Sequence, residues 1–250
     1  MRNKWFSTEP KVPEYYKNIR IHADIGMHEH AMSLVNAYGR SGGKALDIGA
    51  GAGAFSKRLS DSGFVVQGLD VDSAKWVPAD IPFRILDIDK GLRASVDEQF
   101  DLICCLEVIE HVENPWNLLR EIRDLLVPGG ILILSTPNVT SFLSRALFLV
   151  FGRMHQFFEW DLVYGHINPV TDLEIETIAK SIGLSVEVVQ PGGYLPVFDF
   201  ASLGPKSLFL NGLRLFARLV GRGQKEGWCL FFVMRRVANV LATTAVAPGT

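Results

Sequence analysis

A glycine-rich turn constrains the fold of this chain more than any other feature of the sequence. The apolar stretch Lys44–Ile48 is followed at alternate positions by Gly49, Gly51 and Gly53. Glycine lets the backbone turn tightly and approach a ligand closely, and a helix beginning here would offer free N–H groups at the positive end of its dipole. The order strand, loop, helix predicts the first unit of a doubly wound α/β sheet, with a nucleotide-like molecule bound at the carboxyl end of the strand.

Two ligand patterns fit this loop. Gly49 and Gly51, taken with Ala54, satisfy the G-x-G-x-x-G/A pattern of NAD sites. The same two glycines, taken with Asp47 and Gly53, satisfy D-x-G-x-G-x-G. A carboxylate so close to the loop would repel the pyrophosphate of NAD and attract the ammonium and sulfonium of S-adenosyl-L-methionine (SAM). The sequence therefore favours SAM, with an NAD-dependent oxidoreductase as the alternative, for which no Tyr-x-x-x-Lys pair is available.

Composition narrows the remaining possibilities. The chain has 250 residues, of which 48% are hydrophobic, and a formal net charge of −2. This length suits one domain with a sizeable core, and the charge argues against general nucleic-acid binding. The start of the chain does not resemble a signal peptide, and no apolar run has the length of a membrane span. Cys104, Cys105 and Cys229 lie in apolar strand patterns without disulfide or metal spacing, which indicates buried, reduced thiols and a cytoplasmic location.

Apolar strands alternate with helical patterns along the chain, which predicts a parallel sheet with helices on both faces. Strands are predicted at 44–48, 64–70, 83–87, 100–106, 131–135, 184–190 and 229–234, and helices at 24–39, 53–62, 115–126, 139–151 and 171–182. The predicted organisation is an N-terminal cap and first helix over 1–40, a ligand-binding domain over 41–237 with insertions at 139–168 and 191–226, and a tail over 238–250.

Carboxylates end several of these strands. Asp70 lies about 20 residues past the glycines, where an acidic side chain can bind ribose hydroxyls. Asp87 ends the next strand and could bind an adenine amino group, and Glu107 ends the fourth strand. Because ligands bind beyond the carboxyl ends of parallel strands, these acids are expected to line one crevice with Asp47.

Four segments in order carry a family resemblance. Asp47–Gly53, Gly68–Asp70, Phe100–Ile103 and Pro128–Gly130 resemble the successive motifs of class I SAM-dependent methyltransferases, over roughly residues 30–190 and 228–236. The resemblance implies a Rossmann-like, seven-stranded sheet whose strand 7 is antiparallel, with the helical insertions forming a lid. It implies that the loop holds the methionine part of SAM. The cofactor-binding residues that it implies are Asp47, Gly49, Ala50, Gly51, Gly53, Asp70, Val71, Asp87, Ile88, Leu106 and Glu107.

The chain departs from the family pattern at one connection. Only residues 71–82 separate the second and third strands, which is too short for the usual crossover helix. The adenine side of the pocket is therefore expected to be more open, or to be closed by Trp76.

The run Glu107-Val108-Ile109-Glu110-His111 is the second informative site. If it enters a helix, Glu107, Glu110 and His111 share one face. With His166 as a fourth ligand they could bind magnesium or another divalent metal, which would acidify an acceptor hydroxyl. Without a metal, His111 is a candidate general base with Glu110 beside it. In the alternative interpretation the acids orient the SAM amine and cap the helix.

Two subfamilies share parts of this run. The ubiquinone-pathway O-methyltransferases resemble the chain through Glu-x-x-Glu-His-Val, through Ser135–Asn138 and through a His before a Pro-containing helix start. The small-RNA 2′-O-methyltransferases, which hold a metal, share Glu-x-x-Glu-His and Thr136–Asn138. The resemblance therefore implies methylation of oxygen, with nitrogen or an RNA 2′-hydroxyl as alternatives.

Two apolar stretches are expected to flank the mouth of the site. Residues 206–222 form a basic amphipathic pattern, and Phe142–Phe151 is almost wholly apolar. The first suits either a lid or dimer contact or a peripheral contact with the inner face of the membrane. Either arrangement favours an apolar, aromatic, or lipid- or sugar-linked small-molecule acceptor.

Overall fold

A computed structural model describes residues 14–93, 95–193 and 227–238, together with Leu208 and Gly212. The strands are β1 (Tyr15–Tyr16), β2 (Ile19–Arg20), β3 (Lys44–Ile48), β4 (Val65–Asp70), β5 (Phe83–Ile85), β6 (Phe100–Leu106), β7 (Leu126–Pro137), β8 (Leu184–Gly192) and β9 (Cys229–Arg236). The α-helices are α1 (Met27–Tyr38), α2 (Ala54–Asp61), α3 (Pro115–Leu125), α4 (Phe142–Phe151) and α5 (Asp172–Ile182). The predicted 206–222 helix lies almost wholly outside the described residues, as do 1–13 and most of the predicted tail and of the 191–226 insertion.

Seven strands form one mixed sheet in the order β5-β4-β3-β6-β7-β9-β8. β3 to β7 pair in parallel, whereas β9 runs antiparallel to both of its neighbours. The predicted doubly wound sheet with an antiparallel last strand is therefore confirmed. Asp47 lies opposite Gly68 of β4 and Cys104 of β6, so the carboxyl ends of the three strands meet at one edge.

Alternation along the strands divides the core into two layers. Leu46 and Ile48 of β3 pack with α3 and α5 on one face of the sheet, and Ala45 packs with α1 and α2 on the other. The three cysteines are buried and free, as predicted. In the part of the chain that the structure describes, helices are too short or too polar to cross a bilayer.

Several element bounds differ from prediction. β7 begins at Leu126 and includes Pro128–Gly130, ahead of the predicted strand 131–135, because its first residue already pairs with β6 before a register irregularity. α1 begins only at Met27, because Gly26 before it has a left-handed backbone with φ +79°. The N-terminal cap contributes the hairpin of β1 and β2, which contacts α2.

Trp76 covers the sheet where the short β4–β5 connection leaves out a helix. Its ring stacks on Phe83 with centroids 4.5 Å apart, and its Nε1–H donates to the carbonyl of Pro78 at 2.8 Å. A Cβ on Gly68 would lie 2.5 Å from the Trp76 ring, so glycine in β4 leaves the space that the indole fills. Trp76 thus packs on the α1 and α2 face of the sheet and replaces the missing crossover helix.

Replacing Trp76 with alanine is expected to lower the free energy of unfolding by roughly 2–3 kcal/mol, since a large half-buried ring and its cavity are involved. Urea unfolding followed by circular dichroism measures this change. Val77→Ala, an exposed neighbour, is the matched control. Equal stability of the two variants would contradict the assignment.

Candidate active site

The glycine loop has one side packed and one side open. Gly49 and Gly51 have φ values of +74° and +55°, a left-handed conformation that favours glycine. A Cβ on Gly49 would overlap Val108 Cγ2, so glycine lets the loop pack against the 107–111 segment. A Cβ on Gly51 would meet no described atom within 4 Å. A ligand therefore has access to the loop at Gly51.

Three consecutive amides of this loop already donate hydrogen bonds within the protein. The N–H groups of Gly49 and Ala50 both donate to the carbonyl of Leu69, at 2.8 and 3.0 Å. The N–H of Gly51 donates to Asp70 Oδ2 at 2.8 Å. A pyrophosphate needs such amides free and has to avoid neighbouring carboxylates. The loop is consequently a poor site for NAD.

Asp47 lies beneath the loop and caps α2 from inside. Its side chain is 2% exposed, and Oδ2 accepts from Ser56 Oγ at 2.6 Å. The backbone N–H of Ser56, the third residue of α2, donates to the same carboxylate. Burial, together with the nearby charge of Asp70, raises the pKa of Asp47 to about 7 against the opposing effect of the two bonds from Ser56. Asp47 therefore acts on a ligand through its charge rather than through an exposed surface.

The predicted ribose and adenine residues lie along the ends of β4, β5 and β6. Asp70 is partly buried and already accepts the Gly51 amide, whereas Val71 beside it is an exposed apolar side chain. Ile88 and Leu106 are half-buried and pack against the two core layers. These apolar groups provide a surface on which a flat ring could lie.

Asp87 is held by its own neighbours. Its Oδ1 accepts from the N–H of Asp89 at 3.2 Å, which caps a short 3-10 turn, and Oδ2 lies 3.1 Å from Lys90 Nζ. Both side chains are solvent-accessible, so this pair can open for a ligand at little cost.

The expected helix through the Glu-x-x-Glu-His run does not form. Glu107 has a left-handed backbone with φ +54°, and only Ile109–His111 forms a single 3-10 turn. The prediction that Glu107, Glu110 and His111 share one helical face is therefore wrong. The reason is local, because the chain turns sharply where β6 ends.

Two side chains hold Glu107 in this strained conformation. Ser135 Oγ of β7 accepts from the Glu107 N–H at 3.0 Å and donates to Oε1 at 2.7 Å. The thiol of Cys229, the first residue of β9, donates to Oε2 at 3.0 Å. The sequence gives no pattern that links these three positions, which meet only through the order of the strands.

The carboxylate of Glu107 is electrostatically unusual. Burial, together with the charge of Asp24, raises its pKa to about 7 against the opposing bonds from Cys229 and Ser135. Asp24, in the segment before α1, accepts a hydrogen bond from Trp228 Nε1. Asp24 is thus a site residue that the sequence did not indicate.

Glu110, His111 and His166 form one cluster. Their candidate ligand atoms all lie within 4.8 Å of one another, and Glu107 is not a member. Glu110 is 0% exposed, and its Oε2 accepts from Thr136 Oγ1 at 3.2 Å. Its Oε1 has no hydrogen-bond partner among the described residues and lies 3.9 Å from His111 Nε2.

A second loop brings His166 to this cluster. The carbonyl of Glu110 accepts from the N–H groups of Ile167 and Asn168, at 3.0 and 2.9 Å. His166 Nδ1 lies 2.8 Å from the carbonyl of Gln156, so Nδ1 carries the proton and Nε2 keeps its lone pair in the neutral ring. Gln156 itself has φ +62°, an unusual backbone for this residue type.

The surroundings of Glu110 and His111 favour the uncharged form of each side chain. Burial and the nearby Glu107 raise the pKa of Glu110 well above its usual range. Burial and the neighbouring His166 lower the pKa of His111. His155, whose ring lies 4.2 Å from that of Trp228, has its pKa lowered to about 4 by burial. A neutral His111 imidazole and a buried, protonated Glu110 carboxyl are therefore expected at neutral pH.

The fold and site define a class of protein, namely an α/β domain built to bind a nucleoside-like cation at its carboxyl edge. The chain belongs to the methyltransferase domain family, whose model matches residues 25–189. This membership and the occupied loop amides both oppose the NAD-dependent alternative.

Proteins that are similar to this chain in sequence or in fold are methyltransferases. The ubiquinone biosynthesis O-methyltransferase of Pasteurella multocida is 32% identical over 121 residues, which span 42% of this chain and half of that protein. The fold is similar to a SAM-dependent methyltransferase from Archaeoglobus fulgidus, with a TM-score of 0.57, 15% identity and coverage of 83% and 94% of the two chains. It is also similar to the magnesium protoporphyrin IX methyltransferase of Synechocystis, solved with bound SAH, with a TM-score of 0.55, 16% identity and coverage of 85% and 84%.

Asp47→Asn is expected to stabilise the ligand-free protein at high pH. Because the folded pKa is raised from 3.8 to about 7, folding retains a proton that the unfolded chain releases, so this carboxyl lowers stability progressively as pH rises through that window. The cost reaches up to roughly 4 kcal/mol above pH 7. The unfolding free energies of variant and parent should thus be similar near pH 4 and diverge as pH rises. A difference independent of pH would contradict a buried, titrating Asp47.

Proposed function

We propose that this chain transfers the methyl group of SAM to a hydroxyl oxygen of an apolar small molecule. The main supporting observation is that the Gly49, Ala50 and Gly51 amides are already bonded within the protein, while the buried carboxyl of Asp47 and the half-buried carboxyl of Glu107 lie at the ends of β3 and β6. The negative charges of these two carboxylates would attract the sulfonium and the ammonium of SAM, which are both cations. The name of the Pasteurella relative supports oxygen as the acceptor, although the match spans only half of that protein.

Methyl transfer requires that the acceptor oxygen be aligned with the methyl carbon of SAM, and it requires one group that accepts the hydroxyl proton. The acceptor oxygen attacks the methyl carbon of SAM, the S–CH₃ bond breaks, and the sulfonium becomes a neutral thioether. Because the donor is already activated, positioning supplies most of the rate. The hydroxyl proton passes to His111, whose side chain is 33% exposed and whose lowered pKa keeps it neutral. Glu110 is fully buried, with Oε1 3.9 Å from His111 Nε2, so it does not contact the acceptor.

The surroundings support an apolar or aromatic acceptor. Phe157 lies 5.6 Å from the ring of His166, and exposed apolar side chains follow at Leu162–Tyr164. A net charge of −2 makes RNA a weaker alternative. A lipid-linked or polyprenylated hydroxyl compound fits these features better than a very polar one.

We also propose a divalent metal at Glu110, His111 and His166. The unpartnered, fully buried Oε1 of Glu110 is the supporting observation, because a buried carboxylate oxygen normally has a partner. Two imidazoles and one carboxylate suit zinc or a similar transition metal better than magnesium, which prefers oxygen ligands. When bound, such an ion would acidify the acceptor hydroxyl.

His111→Ala is expected to lower kcat by about 10²–10⁴-fold, because a positioned general base is lost. SAM affinity, measured by calorimetry, should be unchanged. Turnover is measured by mass spectrometry against phenols, catechols and their prenylated forms. His22→Ala, an exposed histidine away from the cluster, is the control. Unchanged turnover of His111→Ala with a genuine acceptor would refute the assigned role.

Metal binding has a readout that does not depend on turnover. Elemental analysis and zinc titration of the purified protein should show about one ion per chain, and His166→Ala should weaken the affinity by about 10-fold or more, because one ligand is lost. His155→Ala, a buried histidine outside the cluster, is the control. Absence of binding to the parent protein would leave His111 as a metal-free base.

A further inference from the structure

A tight turn between α4 and α5 has an unusual residue at its third position. The N–H of Phe157 donates to the carbonyl of Met154 at 3.1 Å, which closes a turn over residues 154–157. Gln156, the third residue of this turn, has φ +62°. Turns with a positive φ at the third position normally have glycine or asparagine there, so glutamine is strained. Such strain persists only where surrounding contacts enforce it, and it concentrates at functional sites.

The backbone of the turn is attached to α4. The N–H of His155 donates to Ser144 Oγ at 3.0 Å, and Ser144 is 0% exposed. Because the backbone of His155 makes this bond, the attachment does not depend on the imidazole side chain. The turn therefore has a fixed position from which the next residue, Gln156, can act on its neighbours.

The carbonyl of Gln156 is directed at the ring of His166. The distance from this carbonyl oxygen to His166 Nδ1 is 2.8 Å. A carbonyl oxygen can only accept, so Nδ1 carries the proton of the neutral ring. The Phe157 ring packs beside the same imidazole, with centroids 5.6 Å apart. One nitrogen of His166 is thus bonded to the turn, and Nε2 is the nitrogen that keeps a lone pair.

Other contacts position the backbone near His166. The N–H groups of Ile167 and Asn168 donate to the carbonyl of Glu110, at 3.0 and 2.9 Å. The side-chain amide of Asn168 donates to the carbonyl of Val112. These bonds place residues 166–168 beside Glu110, but they leave the imidazole free to rotate about its own side-chain bonds. The bond to the Gln156 carbonyl restricts that rotation and selects the tautomer.

We propose that Gln156 is a positioning residue, whose left-handed backbone sets the tautomer of His166 and leaves Nε2 as the ligand atom. This inference rests on the metal site proposed above for Glu110, His111 and His166. An imidazole ligand normally donates its other N–H to a carbonyl or carboxylate, which fixes the ring and makes the ligating nitrogen more basic. In the opposite tautomer Nε2 would carry the proton and could not bind an ion.

Nitrogen-15 NMR of the histidine rings measures this tautomer directly. In the full chain at about pH 8, where an ordinary imidazole is neutral, His166 should have a protonated Nδ1 and an unprotonated Nε2 before zinc is added. Its signals are identified by their loss in His166→Ala. Gln156→Val should lose the tautomer preference, because a β-branched residue disfavours a positive φ and the carbonyl moves. Zinc affinity should then fall by about 10-fold or more.

Two control variants separate the carbonyl from other effects of substitution. Gln156→Gly removes the side chain and favours the left-handed backbone, so it should keep the tautomer and the zinc affinity of the parent protein. Phe157→Leu removes the ring beside His166 but leaves the Gln156 carbonyl, so it should also keep the tautomer. SAM affinity, measured on every variant, reports correct folding.

The outcomes separate this inference from the proposed metal site. A protonated Nε2 on His166 in the parent protein overturns the inference, whatever the variants do. The parent tautomer in Gln156→Val, or its loss in Gln156→Gly, also overturns it, because the left-handed backbone would then not be responsible. If the tautomer follows the prediction in all variants and the parent protein binds no zinc, the positioning role of Gln156 holds and the metal site fails.

Discussion

The bond between Ser56 and the buried carboxylate of Asp47 is the interaction on which the site depends. It joins the end of β3 to the first turn of α2, beneath the glycine loop. Because the helix end is capped from inside by an anion, it does not attract an external phosphate. The amides of Gly49, Ala50 and Gly51 are likewise satisfied, by Leu69 and Asp70, so this part of the loop presents a backbone surface within a negative field.

The second half of the site depends on the direction of β9. An antiparallel strand begins at the edge where its parallel neighbours end, and Cys229 pairs in register with Pro137 at that edge. This register brings the Cys229 thiol to Glu107, where Ser135 supplies the other donor. If β9 ran parallel to its neighbours, its carboxyl-terminal end would lie at this edge in place of Cys229. The antiparallel strand therefore supplies one of the two side-chain donors that hold the Glu107 carboxylate.

The sequence predicted the order and direction of the strands and the cluster of acids at their ends, because these follow from alternation, glycine spacing and a known order of motifs. It could not predict the left-handed backbone of Glu107, since a Glu-x-x-Glu-His run has the spacing of a helix face. Ser56, Asp24 and Cys229 were missed as site residues because their roles arise from tertiary contacts. The Trp76 ring lies close to both Gly68 of β4 and Gly53 of the loop, and whether it closes the adenine side of the pocket stays a prediction.

We infer that the carboxylates of Asp47 and Glu107 make this a site for a cation, and proton linkage tests this inference most directly. SAM binding is measured by calorimetry at about pH 6.5, just below the pKa values of about 7 of Asp47 and Glu107, in two buffers of different ionisation enthalpy. Because a bound cation favours the ionised carboxylates, binding of SAM should release protons from the protein. Asp47→Asn and Glu107→Gln should each reduce the number of protons released. Binding without proton release in the parent protein, or NAD binding as tightly as SAM, would contradict it.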